Sequence, residues 1–347
     1  MTSLIGVHYG FIIPHNPQMT HLIRGHSRGV HFQLLWPTLG NKNWEKRYGL
    51  PEQGLDVFFN HTGNIKQLGY QFASSYLVNL PLLRQSKHND RAYTEFSHWL
   101  GLGIGFGYNT KTWDLENNHQ ADVIGSHINV ALTMQYSAKL ITLKASELRA
   151  GLRLTHFSNG AFQLPNQGTN NIGAFVMWGL RRKDSFSPIN KKEMAPFSRE
   201  WKTAVSLVHG WKEISPPGGK KYPSFTFSAM EEYHSTYKSS FGIGLDAMYN
   251  SSLKKLMQRY DSDQSGVSNG DVFQLGVVFS YGLHFDRMVL RFQQGVYFRS
   301  KWTSDGSLYH RVSLRYALND HWQLHLGLKT HFAKADHGEL GLVYTLK

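Results

Sequence analysis

The segment THFSNGAFQLPNQGTNN, residues 155–171, places His156 and Ser158 two residues apart. A serine hydroxyl is a weak nucleophile until a neighbouring base removes its proton, and an imidazole is the usual base. The imidazole in turn needs a third group on its other nitrogen to fix its tautomer, and Asn170 can accept that bond. Asn159, with the backbone amides around Gly160 and Ala161, can stabilise the oxyanion that forms when a carbonyl is attacked. The chemistry that these residue types offer is acyl transfer. A blander reading stands beside it, because polar residues also collect where a membrane strand reaches the lipid–water interface.

The elements that must hold these residues are extended. Leu148, Ala150, Leu152, Leu154, His156 and Ser158 fall on one parity, while Glu147, Arg149, Gly151, Arg153 and Thr155 fall on the other. Side chains alternate across a strand, so His156 and Ser158 continue an apolar face. After a connection containing Pro165 and Gly168, a second run carries Asn170, Ile172, Ala174, Val176, Trp178 and Leu180 on one parity. A hairpin between the two runs returns Asn170 beside the pair.

The same alternation runs through the chain. It predicts about sixteen strands, near residues 3–13, 27–36, 54–61, 68–84, 92–108, 124–140, 144–158, 170–182, 200–214, 223–234, 238–249, 272–284, 287–298, 307–318, 321–332 and 338–346. In a soluble sandwich the apolar faces would form a core. In an outer-membrane barrel they would face lipid, with the polar faces lining the lumen. Many runs reach ten residues or more and end in Trp or Tyr, against the ~5–6 residues usual for soluble strands, which favours the barrel. The expected fold is therefore all-β: an antiparallel transmembrane β-barrel of about 14–16 strands, with residues 1–347 forming a single barrel. Short links such as HFDR near Asp286 alternate with long ones such as 250–271. With the N-terminus inside, odd-numbered strands run outward, and the seventh ends at the outer surface. The polar stretch 183–199 reads as a long turn between a front and a back half. No secretory leader is legible, so the chain reads as a mature one behind an initiator Met.

Composition narrows the rest. The 347 residues include no Cys, which excludes thiolate metal sites and cysteine nucleophiles, and mean hydropathy is −0.39 with no run long enough for a membrane helix. The formal charge of +13 is spread along the chain, without any nucleic-acid motif, so no nucleic-acid partner is expected. Four further signals read as structural. Gly101, Gly103, Gly105 and Gly107 make a small-residue lumenal stripe; DSDQSG at 261–266 starts like a calcium loop, but Val272 stands where its Glu should be; His321 and His325 share a lumenal face; Lys220 and Lys221 sit in a loop. No metal or other cofactor is expected.

The string HFSNG followed by PNQGTN resembles the PagL family of outer-membrane lipid A 3-O-deacylases, or acyloxyacyl hydrolases. LGYQFASSYLVNLPLL at 68–83 adds weaker support. The resemblance covers residues 54–183 and leaves 184–347 as additional barrel strands outside it. It implies an outer-membrane esterase acting on lipid A of the lipopolysaccharide outer leaflet, with Ser158 as nucleophile, His156 as base and Asn159 as an oxyanion donor. The family's third member is a Glu, and Asn170 stands in its place; an amide orients the imidazole without offsetting the imidazolium charge. Two alternatives remain open at this level: a channel or transport barrel carrying a vestigial hydrolase site, and a soluble sandwich that binds a ligand.

Overall fold

The computed structural model describes residues 1–89, 92–143, 145–182, 194, 196–260, 266–332 and 334–346. Among these, sixteen strands form in nearly the positions that alternation predicts. The first eight are β1 (Thr2–Ile12), β2 (Ser27–Pro37), β3 (Glu52–His61), β4 (Tyr70–Asn89), β5 (Ala92–Asn109), β6 (Ile128–Thr142), β7 (Ser146–Ser158) and β8 (Thr169–Arg181). The second eight are β9 (Glu200–Glu213), β10 (Lys221–His234), β11 (Ser239–Asn250), β12 (Phe273–Phe285), β13 (Met288–Arg299), β14 (Leu308–Ala317), β15 (Trp322–His331) and β16 (Lys334–Thr345).

All the neighbouring strands pair antiparallel, but they close into two rings, β1–β8 and β9–β16. The single ring expected over residues 1–347 is thus replaced by two compact units, one of residues 1–159 and 165–193, the other of residues 160–164 and 194–347. Closure is direct in each. β8 returns to β1 with Val176 opposite Val7, and β16 returns to β9 with Leu342 opposite Leu207. Side-chain alternation is the same for one ring of sixteen or two of eight, so it carries no record of which strand edges meet. The size of the interior decides, because eight strands enclose a space that side chains alone can fill.

In the first barrel that space is filled by ions in pairs. Arg153 on β7 reaches across the ring to Asp56 on β3 through two bonds of 2.6 and 2.9 Å, and Gln33 donates to the same carboxylate at 2.8 Å. Nearer the other end, Glu52 accepts from both Lys139 and Arg149 at 2.7 Å, and Arg149 also holds Glu147. The second barrel repeats the device with different residues. Arg311 joins Glu339 at 2.6 Å to Asp246 at 3.0 Å, and Glu232 bridges Arg291 at 2.6 Å and Arg315 at 2.9 Å. These charges are fully desolvated, so each depends on its partner.

The outward faces are apolar and uncovered. Ile5, Val7 and Leu152 are 57–64% exposed in the first barrel, as are Leu207 and Leu245 at 58% in the second. Such belts are what a hydrocarbon surround requires. No helix among the described residues is long and apolar enough to cross a membrane.

One end of the first barrel is closed by apolar side chains from the ends and links of its strands: Ile12, Met19, Leu22, Leu68, Val123 and Phe157 among them. Phe157 is completely buried there. It needs space, and Gly107 supplies it: a Cβ on that residue would sit 2.5 Å from the Phe157 ring. The glycine stripe of β5 is therefore a packing feature, as expected.

The link 251–272 contains a helix, α1 (Ser252–Tyr260), where the sequence suggests only loop; it buries Leu253 and Met257 against Val272. The calcium-like DSDQSG run lies, except for Gly266, outside the described residues. His325 faces inward beside Glu339 at 3.6 Å, whereas His321 stays at the turn, hydrogen-bonded to the carbonyl of Thr345 at 3.0 Å, so the two do not meet. Lys221 starts β10 and pairs with Glu213, while Lys220 is exposed.

Candidate active site

The site is built on the end of β7. Phe157 turns inward into the apolar cap, and this forces its neighbours His156 and Ser158 to the opposite parity. Their cross-strand partners on β6 lie on the same side, since Leu132 opposite His156 and Val130 opposite Ser158 are 42% and 39% exposed on the outer face. Ser158 itself is 9% exposed, screened at the strand end.

Register brings the third residue. Asn170 on β8 lies directly opposite His156, and its Oδ1 is 2.6 Å from His156 Nδ1. The hairpin expected from sequence is thus present with the expected pairing. With Nδ1 engaged, Nε2 is the ring nitrogen that remains to act on a hydroxyl.

The connection between the two strands passes close against the imidazole. Gly168 adopts φ +77°, and a Cβ there would stand 2.7 Å from His156 Cε1 and 2.9 Å from the carbonyl oxygen of Phe157. Only glycine allows both the left-handed backbone and that approach. The connection is tied to the 110–127 link by Gly125 N donating to Pro165 O at 2.7 Å and Gly168 N donating to Val123 O at 3.0 Å.

Asn159 follows Ser158 and is doubly held. Its backbone N–H donates to Asn166 Oδ1 at 2.9 Å, and its side-chain amide donates to Ser126 Oγ at 2.7 Å. Ser126 thereby fixes the plane of that amide. Gly160 and Ala161 both have positive φ, 63° and 62°. They belong to the second unit, in which Gly160 O accepts from Gly338 N at 3.1 Å and Ala161 O accepts from Glu213 N at 3.0 Å.

Two contributors, His15 and Ser126, carry no signal in the sequence, and Asn166 and Gln167 lie inside the PNQGTN string without a role of their own being legible there. His15 Nδ1 lies 3.1 Å from Asn170 Nδ2, and its Nε2 lies 2.9 Å from the carbonyl oxygen of Gln167. His15 and Asn170 are 155 residues apart in the chain, so no spacing rule links them; closure of β1 on β8 does. Among the described residues no His, Asp and Glu cluster is arranged to hold a metal ion.

A family model described as lipid A 3-O-deacylase (PagL) matches residues 28–179, and one described as the C-terminal domain of acyloxyacyl hydrolase matches residues 199–347. The chain belongs to this PagL-type family. The two matches fall on the two rings, so the back half, which the sequence resemblance left outside, is a family domain in its own right. The family and the fold place the chain in the bacterial outer membrane. Among solved structures, the outer-membrane enzyme PagL is 15% identical, over 50% of this chain and 97% of that one, with a TM-score of 0.34. An outer-membrane channel from Pseudomonas putida F1 is 12% identical over 99% and 95% of the two chains, with a TM-score of 0.21. A porin variant of Rh. blastica is 9% identical over 100% and 99%, with a TM-score of 0.19. No curated protein sequence matches the chain.

Proposed function

We propose that the protein is an outer-membrane esterase that removes an acyl chain from lipid A, using Ser158 and His156 on the lipid-facing side of the first barrel. The observation that carries this reading is the 2.6 Å contact between His156 Nδ1 and Asn170 Oδ1 on that outward face. An imidazole merely lining a lipid–water interface has no need of a partner that commits one of its nitrogens.

In this mechanism Ser158 Oγ attacks the ester carbonyl carbon as His156 Nε2 takes its proton. The C=O π electrons move onto oxygen, and the oxyanion is held by the Asn159 amide. Collapse breaks the bond from carbonyl carbon to sugar oxygen, and His156 returns the proton to that oxygen. Water then attacks the acyl-serine ester with His156 again as base, releasing the fatty acid. No cofactor enters these steps.

Placement on the outer face accounts for a membrane-embedded substrate: lipopolysaccharide presents its acyl esters at the depth where an outward strand ends. The rival reading, a conduit, finds no support in the interiors, which are filled by buried ion pairs such as Arg153 with Asp56 and Arg311 with Glu339. The test is fatty-acid release from lipid A in mixed micelles by purified protein. Release that Ser158→Ala removes supports the assignment, and equal release by that variant refutes it.

A further inference from the structure

The chain of hydrogen bonds behind His156 does not stop at Asn170. Asn170 Nδ2 meets His15 Nδ1 at 3.1 Å, and His15 Nε2 meets the carbonyl oxygen of Gln167 at 2.9 Å. A backbone carbonyl cannot donate, so His15 Nε2 must carry the proton at that contact. In a neutral ring Nδ1 is then an acceptor, and the group it accepts from must be the Asn170 NH2. The amide's oxygen is left facing His156, which must present Nδ1–H and keep Nε2 as the base. The fixed polarity of one peptide carbonyl thus propagates through three side chains to His156 Nε2.

This matters because an amide, unlike a carboxylate, has two different ends. Reversed, Asn170 would present its NH2 to His156 Nδ1, and the ring would have to hold its proton on Nε2, where it cannot take one from a serine. We infer that His15 is a positioning residue for the esterase reaction, holding the Asn170 amide in the one orientation that makes His156 a base. The inference rests on the Ser158–His156 reading above.

The surroundings fit that task. His15 sits in the β1–β2 link between Pro14 and Pro17, whose rings restrict φ on either side. Asn16 caps the 3₁₀ turn that follows by accepting from Gln18 N at 3.1 Å. Ile13 N donates to Asn170 O at 2.9 Å, so the backbone carrying His15 is pinned to the backbone of the residue it orients. The Gln167 end is anchored too, its side chain donating to Asp122 O at 3.2 Å. His15 itself is exposed and forms no part of the apolar cap, so its removal leaves the barrel's packing intact.

The test exploits the symmetry of a carboxylate. Acyl release from lipid A is measured for His15→Ala in two backgrounds, native and Asn170→Asp. In the native background kcat falls by about tenfold or more, the scale of a general base presented in the wrong tautomer, with KM little changed. His15→Asn, which offers an oxygen acceptor near the Nδ1 position, recovers most of that loss. In the Asn170→Asp background both ends of the side chain are acceptors, nothing needs orienting, and His15→Ala costs no more than about twofold. Equal losses in the two backgrounds would make His15 an ordinary loop contact and overturn the inference. So would an inactive Asn170→Asp, since a carboxylate offers His156 an acceptor either way round. Ser158→Ala run alongside separates the levels: acyl release surviving that change would remove the Ser158–His156 reading itself.

Discussion

Asn170 Oδ1 lies 2.6 Å from His156 Nδ1, and the two residues are direct cross-strand partners of β8 and β7. The contact therefore follows from strand register, which the barrel's closure enforces, rather than from a flexible loop. What the amide supplies is orientation. What it lacks, in the proposed mechanism, is a charge to offset the imidazolium that forms when His156 takes a proton.

The two contributions separate by substitution. Asn170→Leu removes the orientation and adds no charge, and kcat should fall about 10²-fold or more, the ordinary scale of general-base assistance. Asn170→Asp keeps an acceptor and adds the missing charge, so kcat should rise, by about tenfold if the imidazolium is as poorly compensated as the geometry implies. Steady-state fatty-acid release reads both. A fall for Asn170→Asp matching that for Asn170→Leu would show that the charge account is wrong.

Gly168 offers a second handle on the same ring. Gly168→Ala forces a Cβ to within 2.7 Å of His156 Cε1 at a backbone φ of +77°. The strain alone is of the order of 1–2 kcal/mol, which a barrel tolerates, but the imidazole must shift. We expect a folded protein whose kcat is lowered at least about tenfold, since misplacing a reacting group by an ångström is costly. Native heat-modifiable mobility on gels together with wild-type kcat would contradict this.

Stability rests on different residues. Asp56 and Arg153 are both fully buried and joined by two bonds. Asp56→Ala strands the guanidinium inside the first barrel and should destabilise it by about 3–5 kcal/mol. The measurement is the urea midpoint of the refolded protein in detergent, which should drop markedly. The Asp56→Ala, Arg153→Met double variant should recover much of the loss, because it removes the orphaned charge. A double variant no better than the single would argue that the interior depends on the pair for shape.

Much of this architecture is legible in the amino-acid sequence. Parity puts His156 and Ser158 on the outer face, and the sixteen strands fall within a few residues of their expected positions, because alternating burial is written into every pair of neighbouring residues. Ring closure is not legible, since it depends on which distant edges meet; Val7 finding Val176 leaves no trace in either local pattern. For the same reason His15 carries no signal. Helix α1 is obscured because Leu253, Leu256, Met257 and Tyr260 recur at helical spacing inside a link that the flanking strands make look like loop.

The filled interiors carry a consequence for transport. Arg149, Arg153, Arg291 and Lys329 are each at most 2% exposed inside their barrels. Reconstituted in planar bilayers, the protein should show no stepwise ion conductance at low voltage. Discrete, reproducible conductance steps unaffected by Ser158→Ala would return the conduit reading to the front.

The most direct test is mass spectrometry of lipid A from cells expressing the wild type, Ser158→Ala or His156→Ala, with each protein verified in the outer membrane. The account predicts a species lighter by one acyl chain with the wild type alone. Identical lipid A from all three, or deacylation that persists in Ser158→Ala, would contradict it.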